Sequence, residues 1–233
     1  MATTPPTLDI GLLVFPRITH LDMTGPHEVL ASLPGARVRL VWKDTAPVRA
    51  DSGLMLTPDT AFADCPPLDL ICVPGGPGVG ALMEDDETLA FLRRQAEGAR
   101  YVTSVCTGAL VLGAAGLLRG RRATTHWASH DFLPAFGATP VKARVVRDGN
   151  LFTGGGVTAG IDFALTIAAE IAGEEAAQAI QLRIEYAPDP PFQAGDPDTA
   201  PPAVLARARA GMRAMRAERE ALMARVAARL GQA

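Results

Sequence analysis

Short apolar runs alternate with longer amphipathic or alanine-rich segments along this chain, a pattern that predicts βα units built on a largely parallel sheet. Leu8 to Phe15 (LDIGLLVF) is the first buried strand. After the loop PRITHLDM, Thr24 is expected to cap a helix that starts near Gly25-Pro26 and runs through HEVLASL. Val38 to Trp42 is the second strand, and APVRADSGLMLTP is a small antiparallel excursion whose turn residues are Asp51-Ser52-Gly53. Leu68 to Val73 is a buried strand ending in Pro74-Gly75-Gly76-Pro77-Gly78, and a helix follows from about Glu87 to Glu97. The next strand, Tyr101 to Val105, runs straight into Cys106-Thr107-Gly108 and the apolar helix ALVLGAAGLL.

Beyond that junction, RRATTHW supplies a short strand and a helix start. VVRDGNLFTGGG is a hairpin turning at Asp148-Gly149. Helices are expected over Val157 to Ile171 and Glu174 to Glu185. YAPDPPFQAGDPDTAPP is too proline-rich for regular structure. The last segment, Ala203 to Leu230, reads as one Arg- and Ala-rich helix whose apolar stripe comprises Val204, Leu205, Met212, Met215, Leu222, Met223, Val226 and Leu230. Its arginines are left mostly for solvent and for partners such as Glu218 and Glu220. A single helix cannot bury itself, so it is expected to pack on the body or on a partner subunit. The organisation is therefore one main domain over residues 1–200 and a C-terminal helix over 201–233.

Composition narrows the function classes. A net charge of −3 argues against nonspecific nucleic-acid binding, and 48% hydrophobic with 20% charged residues describes a folded globular chain. Three scattered cysteines, Cys65, Cys72 and Cys106, make no disulfide framework. MATTPPTLDI lacks the pattern of a secretory leader, and no apolar run reaches the ~18 residues of a membrane span, so the expectation is a cytoplasmic protein that engages neither membrane nor nucleic acid.

Candidate chemistry centres on Cys106. A strand-to-helix position aims its sulfur at the mouth of the sheet and at the N–H groups of the helix, both of which favour thiolate; the alternative is an ordinary core cysteine, the reading adopted for Cys65 and Cys72. Ser104-Val105-Cys106-Thr107-Gly108 loosely matches a nucleophile elbow, whose small neighbours permit the sharp turn. Thr107 cannot take a proton at neutral pH, so the acid/base must come from elsewhere. Asp22, near the carboxyl end of the first strand, is one candidate; Glu28 is a rival that points away. His126 and His130 are others, and their i,i+4 spacing also suits a metal, but no third ligand is near and no metal is expected. Gly75 and Gly76 are expected to approach the reacting centre with N–H groups free to stabilise developing negative charge. Gly76-x-Gly78-x-x-Ala81 imitates a dinucleotide fingerprint, but it is not in the first βα turn, and Gly154-Gly155-Gly156-Val157-Thr158-Ala159 has similar spacing.

The segments VPGGPGVGAL, YVTSVCTGALVLGAAGLL, RATTHW and FTGGGVTAGIDFAL, in this order, resemble the DJ-1/PfpI superfamily over about residues 8–186. LDMTGP with Asp22, Cys-Thr-Gly in place of Cys-His, and YAPDPPF resemble its isonitrile hydratase members. The resemblance implies a flavodoxin-like three-layer α/β sandwich, a homodimer, and hydration of a small-molecule isonitrile to an N-substituted formamide without a cofactor. It further implies Cys106 as nucleophile, Asp22 as acid/base and Thr107 as a supporting hydroxyl; the reading of the residues themselves keeps Gly75 and Gly76 as the substrate and oxyanion backbone and His126 as a secondary candidate. Peptidase- and deglycase-like members carry a glutamate where Asp22 stands. The alternatives are a DJ-1-like glyoxalase or hydrolase and a ligand- or redox-sensing protein related to AraC-type regulators. Those regulators continue into paired helix-turn-helix units, which the single helix after the proline-rich loop does not supply.

Overall fold

The computed structural model describes residues 7–231. In chain order the strands are β1 (Leu8–Leu13), β2 (Ala36–Trp42), β3 (Val48–Arg49), β4 (Met55–Leu56), β5 (Thr60–Ala61), β6 (Leu70–Val73), β7 (Tyr101–Val105), β8 (Arg122–Ala123), β9 (Thr139–Pro140), β10 (Val145–Asp148) and β11 (Leu151–Gly154). The helices are α1 (Leu21–Leu30), α2 (Val79–Leu82), α3 (Asp86–Gly98), α4 (Gly108–Ala114), α5 (Ala159–Ala172), α6 (Glu174–Arg183) and α7 (Pro202–Gly231), with a 3₁₀ helix at Trp127–Phe136. Seven strands form one sheet in the order β10-β11-β7-β6-β1-β2-β5, parallel except for the β10–β11 hairpin. Helices α1, α5 and α6 pack together on one face, and α2, α3, α4, the 3₁₀ helix and α7 on the other. This is the expected three-layer α/β arrangement. The central strands β6 and β7 are buried at every residue, as a parallel sheet covered on both faces requires.

The strand order places β7, β6 and β1 side by side, so the loops that leave their carboxyl ends meet above the sheet. The hairpin at Asp148 forms with Asp148 opposite Leu151; Gly149 at φ 61° takes the left-handed conformation the two-residue loop needs. The ribbon β3–β4 pairs Val48 with Leu56 around Asp51-Ser52-Gly53, as the turn chemistry predicts.

Helix α1 departs from expectation. It begins at Leu21, and Thr24, Gly25 and Pro26 lie inside it. Gly25 and Pro26 are contact residues: a Cβ on Gly25 would sit 3.2 Å from Ile161, and one on Gly160 2.9 Å from the Pro26 ring, so α1 and α5 cross closely through small and flat groups. The earlier start brings Asp22 into the first turn of the helix.

The C-terminal helix packs on its own chain, against the 3₁₀ helix and α4. Leu222, Met223 and Val226 are buried, whereas Val204 is 49% exposed and Met212 and Met215 are half-buried, so the apolar stripe expected along the whole helix is fully buried only in its second half. Arg216 pairs with Glu220 at 2.9 Å and also with Asp131; Arg225 reaches Glu84 at 2.8 Å. Arg219 breaks the expectation that the arginines face solvent: it is 7% exposed, because it points inward one turn before the buried Leu222–Met223 pair.

Candidate active site

Cys106 follows β7 at φ 53°, a left-handed conformation that L residues with a side chain rarely adopt and that marks a sharp strand-to-helix elbow. Its backbone is held from both sides: the Cys106 N–H donates to the Gly154 carbonyl (3.1 Å), and the Thr125 hydroxyl donates to the Cys106 carbonyl (2.7 Å). Gly108 permits the turn, since a Cβ there would collide with the Val73 carbonyl.

Asp22 reaches the same point from α1 and is fully buried. The Gly75 N–H donates to Asp22 Oδ2 at 2.8 Å, while Oδ1 is buried without a hydrogen-bond partner of ordinary geometry. The Cys106 thiol interacts with the same carboxyl group. Burial pushes the Asp22 pKa up to about 7; the Gly75 N–H and the Cys106 thiol act against it and lose. Burial and the Asp22 charge also push the Cys106 thiol well above its ordinary value, although the Thr107 N–H favours thiolate. The thiolate-favouring setting expected of the elbow is thus opposed by its surroundings. The helix N-terminus acts in the foreseen direction, but desolvation and a neighbouring carboxylate outweigh it.

Gly75 and Gly76 also play a different part from the one expected. Their N–H groups are not free: Gly75 donates to Asp22, and Gly76 donates to Thr107 Oγ1 at 3.0 Å. The pair leaves β6 between β1 and β7 and ties Asp22, from one side, to Thr107, from the other. Gly76 holds φ 135°, and a Cβ on Gly75 would lie 2.6 to 2.8 Å from Thr107 N, Thr107 Oγ1 and Asp22 Oδ2. The strap therefore needs glycine at both positions.

His126 lines the cavity beside Cys106; its Nδ1 accepts the Ala128 N–H at 3.3 Å, and burial lowers its pKa. His130 contacts the Thr124 hydroxyl at 3.0 Å instead. The two do not form the shared face that i,i+4 spacing gives on an α-helix, because this segment is 3₁₀, with about three residues per turn. No cluster of three or more His, Cys, Asp or Glu arranged to hold a metal occurs among the described residues. Glu28 is exposed and faces Arg183 at 3.4 Å. Cys72 is buried and Cys65 half-buried, and burial raises their pKa values to about 12 and about 11.

Above Cys106 lies a cavity of about 200 Å³, lined at its base by Gly76, Cys106, Thr107 and His126. Its outer wall was not foreseen: Phe132 and Val157 from the body, and Met212, Met215 and Arg219 from α7. In the sequence those α7 positions look like any amphipathic helix, and only burial separates Arg219 from its neighbours. A larger groove of about 670 Å³ runs between α7 and the Pro77–Asp85 segment without reaching Cys106.

The DJ-1/PfpI family sequence profile matches residues 9–170, which contain the elbow, the glycine strap and Asp22. The chain belongs to the DJ-1/PfpI family. Among family members, it is 68% identical over 202 residues to an isonitrile hydratase of Pseudomonas putida, covering 87% of this chain and 89% of that protein. It is 32% identical to the HTH-type transcriptional regulator GbdR of Pseudomonas aeruginosa over 76% of this chain, which spans only 50% of the regulator. A crystal structure of a ThiJ/PfpI family protein from Pseudomonas syringae superposes with a TM-score of 0.91 at 45% identity, covering 94% of this chain and 91% of that one. Drosophila melanogaster DJ-1beta gives a TM-score of 0.69 at 26% identity over 77% of this chain and 98% of its own. The α7 helix lies outside the residues matched by the DJ-1/PfpI profile, yet it walls the cavity of this member.

Proposed function

We propose that this chain hydrates isonitriles to N-substituted formamides, with Cys106 as nucleophile, Asp22 as proton carrier and Thr107 in support. The observation that carries the proposal is the 68% identity, over nearly the whole of both chains, to an isonitrile hydratase. The site chemistry fits it. An isonitrile, R–N≡C, is electrophilic at its terminal carbon and suits a soft sulfur nucleophile. Near neutral pH Asp22 is poised to take the thiol proton as sulfur bonds to that carbon, then to give it to the carbon, leaving the thioimidate R–N=CH–S–Cys106. The regenerated carboxylate takes a proton from a water as its oxygen adds to the same carbon and passes that proton to the nitrogen, giving R–NH–CH(OH)–S–Cys106, whose hydroxyl proton is the one given up on collapse. Collapse expels the thiolate, releases R–NH–CHO and returns the proton to the Cys106–Asp22 pair. Each Asp22 step needs a carboxyl group that exchanges a proton near neutrality, which burial supplies.

Sensing by oxidation of Cys106 is the weaker reading, since the likeness to a regulator is only 32% identity and spans half of that protein, against 68% over nearly the whole length of an isonitrile hydratase. Incubation with a simple aromatic isonitrile, followed by absorbance and by chromatography of the formamide, tests the proposal. Stoichiometric formamide over many turnovers is the expected result; consumption no faster than in buffer would overturn it.

Pairing of two copies is a second part of the reading. Leu21, Leu54 and Met55 expose 38, 48 and 55% of their surface, and His20 Nδ1 lies 3.1 Å from Ser52 Oγ, joining the start of α1 to the β3–β4 ribbon. These large apolar side chains form a face suited to burial against a second copy. Sedimentation is expected to give twice the chain mass, falling toward one chain mass in Met55→Glu. A wild-type protein sedimenting at one chain mass would remove this part.

A further inference from the structure

Arg219 is the one cation in the wall of the Cys106 cavity that lacks a carboxylate within salt-bridge distance among the described residues. Arg216, beside it, is engaged by Asp131 and Glu220 and donates to the Ala128 carbonyl at 2.7 Å. Asp51, the carboxylate at the opposite rim, is half exposed and faces Arg17 at 3.8 Å. Arg219 itself is 7% exposed, and its one hydrogen bond runs from Nη1 to the neutral Ser129 hydroxyl at 3.1 Å.

A buried guanidinium without an anion is costly, and a hydroxyl does not neutralise it. Docking of α7 does not require the charge, because Leu222, Met223 and Val226 supply the apolar contact. Phe132, Val157, Met212 and Met215 make much of the remaining wall apolar, and Arg216 is already held by carboxylates, so a small anionic group entering the cavity meets Arg219 as its buried charged donor.

We infer that Arg219 is a specificity-determining residue that binds an anionic substituent, a carboxylate, on the R group of the isonitrile. The guanidinium fork matches a carboxylate in shape and charge, and Ser129 holds one arm of the fork in place. The cavity volume suits a compact molecule such as isocyanoacetate. This inference rests on the isonitrile reading above.

The test compares kcat/KM for isocyanoacetate and for isocyanoacetamide, which has nearly the same shape and no charge. The wild-type protein is expected to prefer the carboxylate by roughly 10–100-fold, the range of one charge-assisted hydrogen-bonded contact. In Arg219→Met the ratio is expected to fall to about one, and Arg219→Lys to retain part of it. No preference in the wild-type protein, or an unchanged ratio in Arg219→Met, would overturn the inference. The ratio does not move if Arg219 merely ties α7 to Ser129. Calorimetry with the corresponding formamides separates this inference from the activity reading. If neither isonitrile is hydrated, tighter binding of N-formylglycine than of N-formylglycinamide still supports the Arg219 site, and equal binding removes it.

Discussion

Cys106→Ala is expected to lower isonitrile turnover by on the order of 10⁴–10⁶, to the level left by binding alone, the scale seen when a nucleophile is removed from a working constellation. The elbow is the reason for so large an effect. Cys106 is held at φ 53° by hydrogen bonds on both sides, and no second thiol reaches the cavity: Cys72 lies within β6 and Cys65 is in a separate loop. Alanine leaves the backbone bonds intact and removes only the sulfur. The matching change Cys72→Ala is expected to cost stability and leave turnover within a few-fold of wild type. Acid quenching of the wild-type reaction followed by intact-mass measurement should reveal a chain heavier by one isonitrile, and that species should be missing from Cys106→Ala. Turnover by Cys106→Ala within tenfold of wild type would exclude covalent catalysis through this residue.

Asp22→Asn is expected to lower turnover by ~10²–10⁴, the range of general acid–base catalysis. Asparagine can still accept the Gly75 N–H but cannot carry a proton. The pH dependence makes the assignment specific. The Asp22 pKa is raised from 3.8 to about 7, so kcat/KM of the wild-type protein should rise with pH through about 7, and this acid limb should vanish in the variant. Stability should respond in the opposite sense. The folded-state pKa lies above the unfolded value, so the folded chain binds more protons between the two, and wild-type stability falls as pH rises from about 4 through about 7. Above that window Asp22→Asn should therefore be the more stable protein by a few kcal/mol, the gap closing below pH 4, as denaturant titrations at pH 4 and pH 8 would measure. A variant less stable than wild type at pH 8 would contradict the burial cost assigned to Asp22.

The features legible in the sequence were those encoded locally. Period and apolar run length disclose the strands β1, β6 and β7, and the abrupt change at Val105–Cys106 discloses the elbow. Thr24, Gly25 and Pro26 carry helix-start chemistry yet lie inside α1, and Gly25 and Pro26 serve a tertiary use instead, contact with α5. Glycine at a strand end signals close backbone approach, but not which acceptor its N–H will find, and here Asp22 and Thr107 claim those of Gly75 and Gly76. The protonation of Cys106 depends on a balance between a helix terminus and burial that no short segment records. Arg219 was hidden among arginines of identical local pattern, and only the way α7 lies on the 3₁₀ helix distinguishes it.

The cavity joins two parts of different origin. Its floor is made by strand ends and a glycine strap, where a displacement of even one side chain disturbs proton transfer. Three side chains of its outer wall, Met212, Met215 and Arg219, come from a helix that bears none of the proposed catalytic residues. Variation in the wall can therefore redirect which R groups enter without rebuilding the reacting atoms. A randomised library confined to those three codons would explore substrate scope at little risk to the chemical step, and a descendant of this chain could acquire a new diet through its last helix alone.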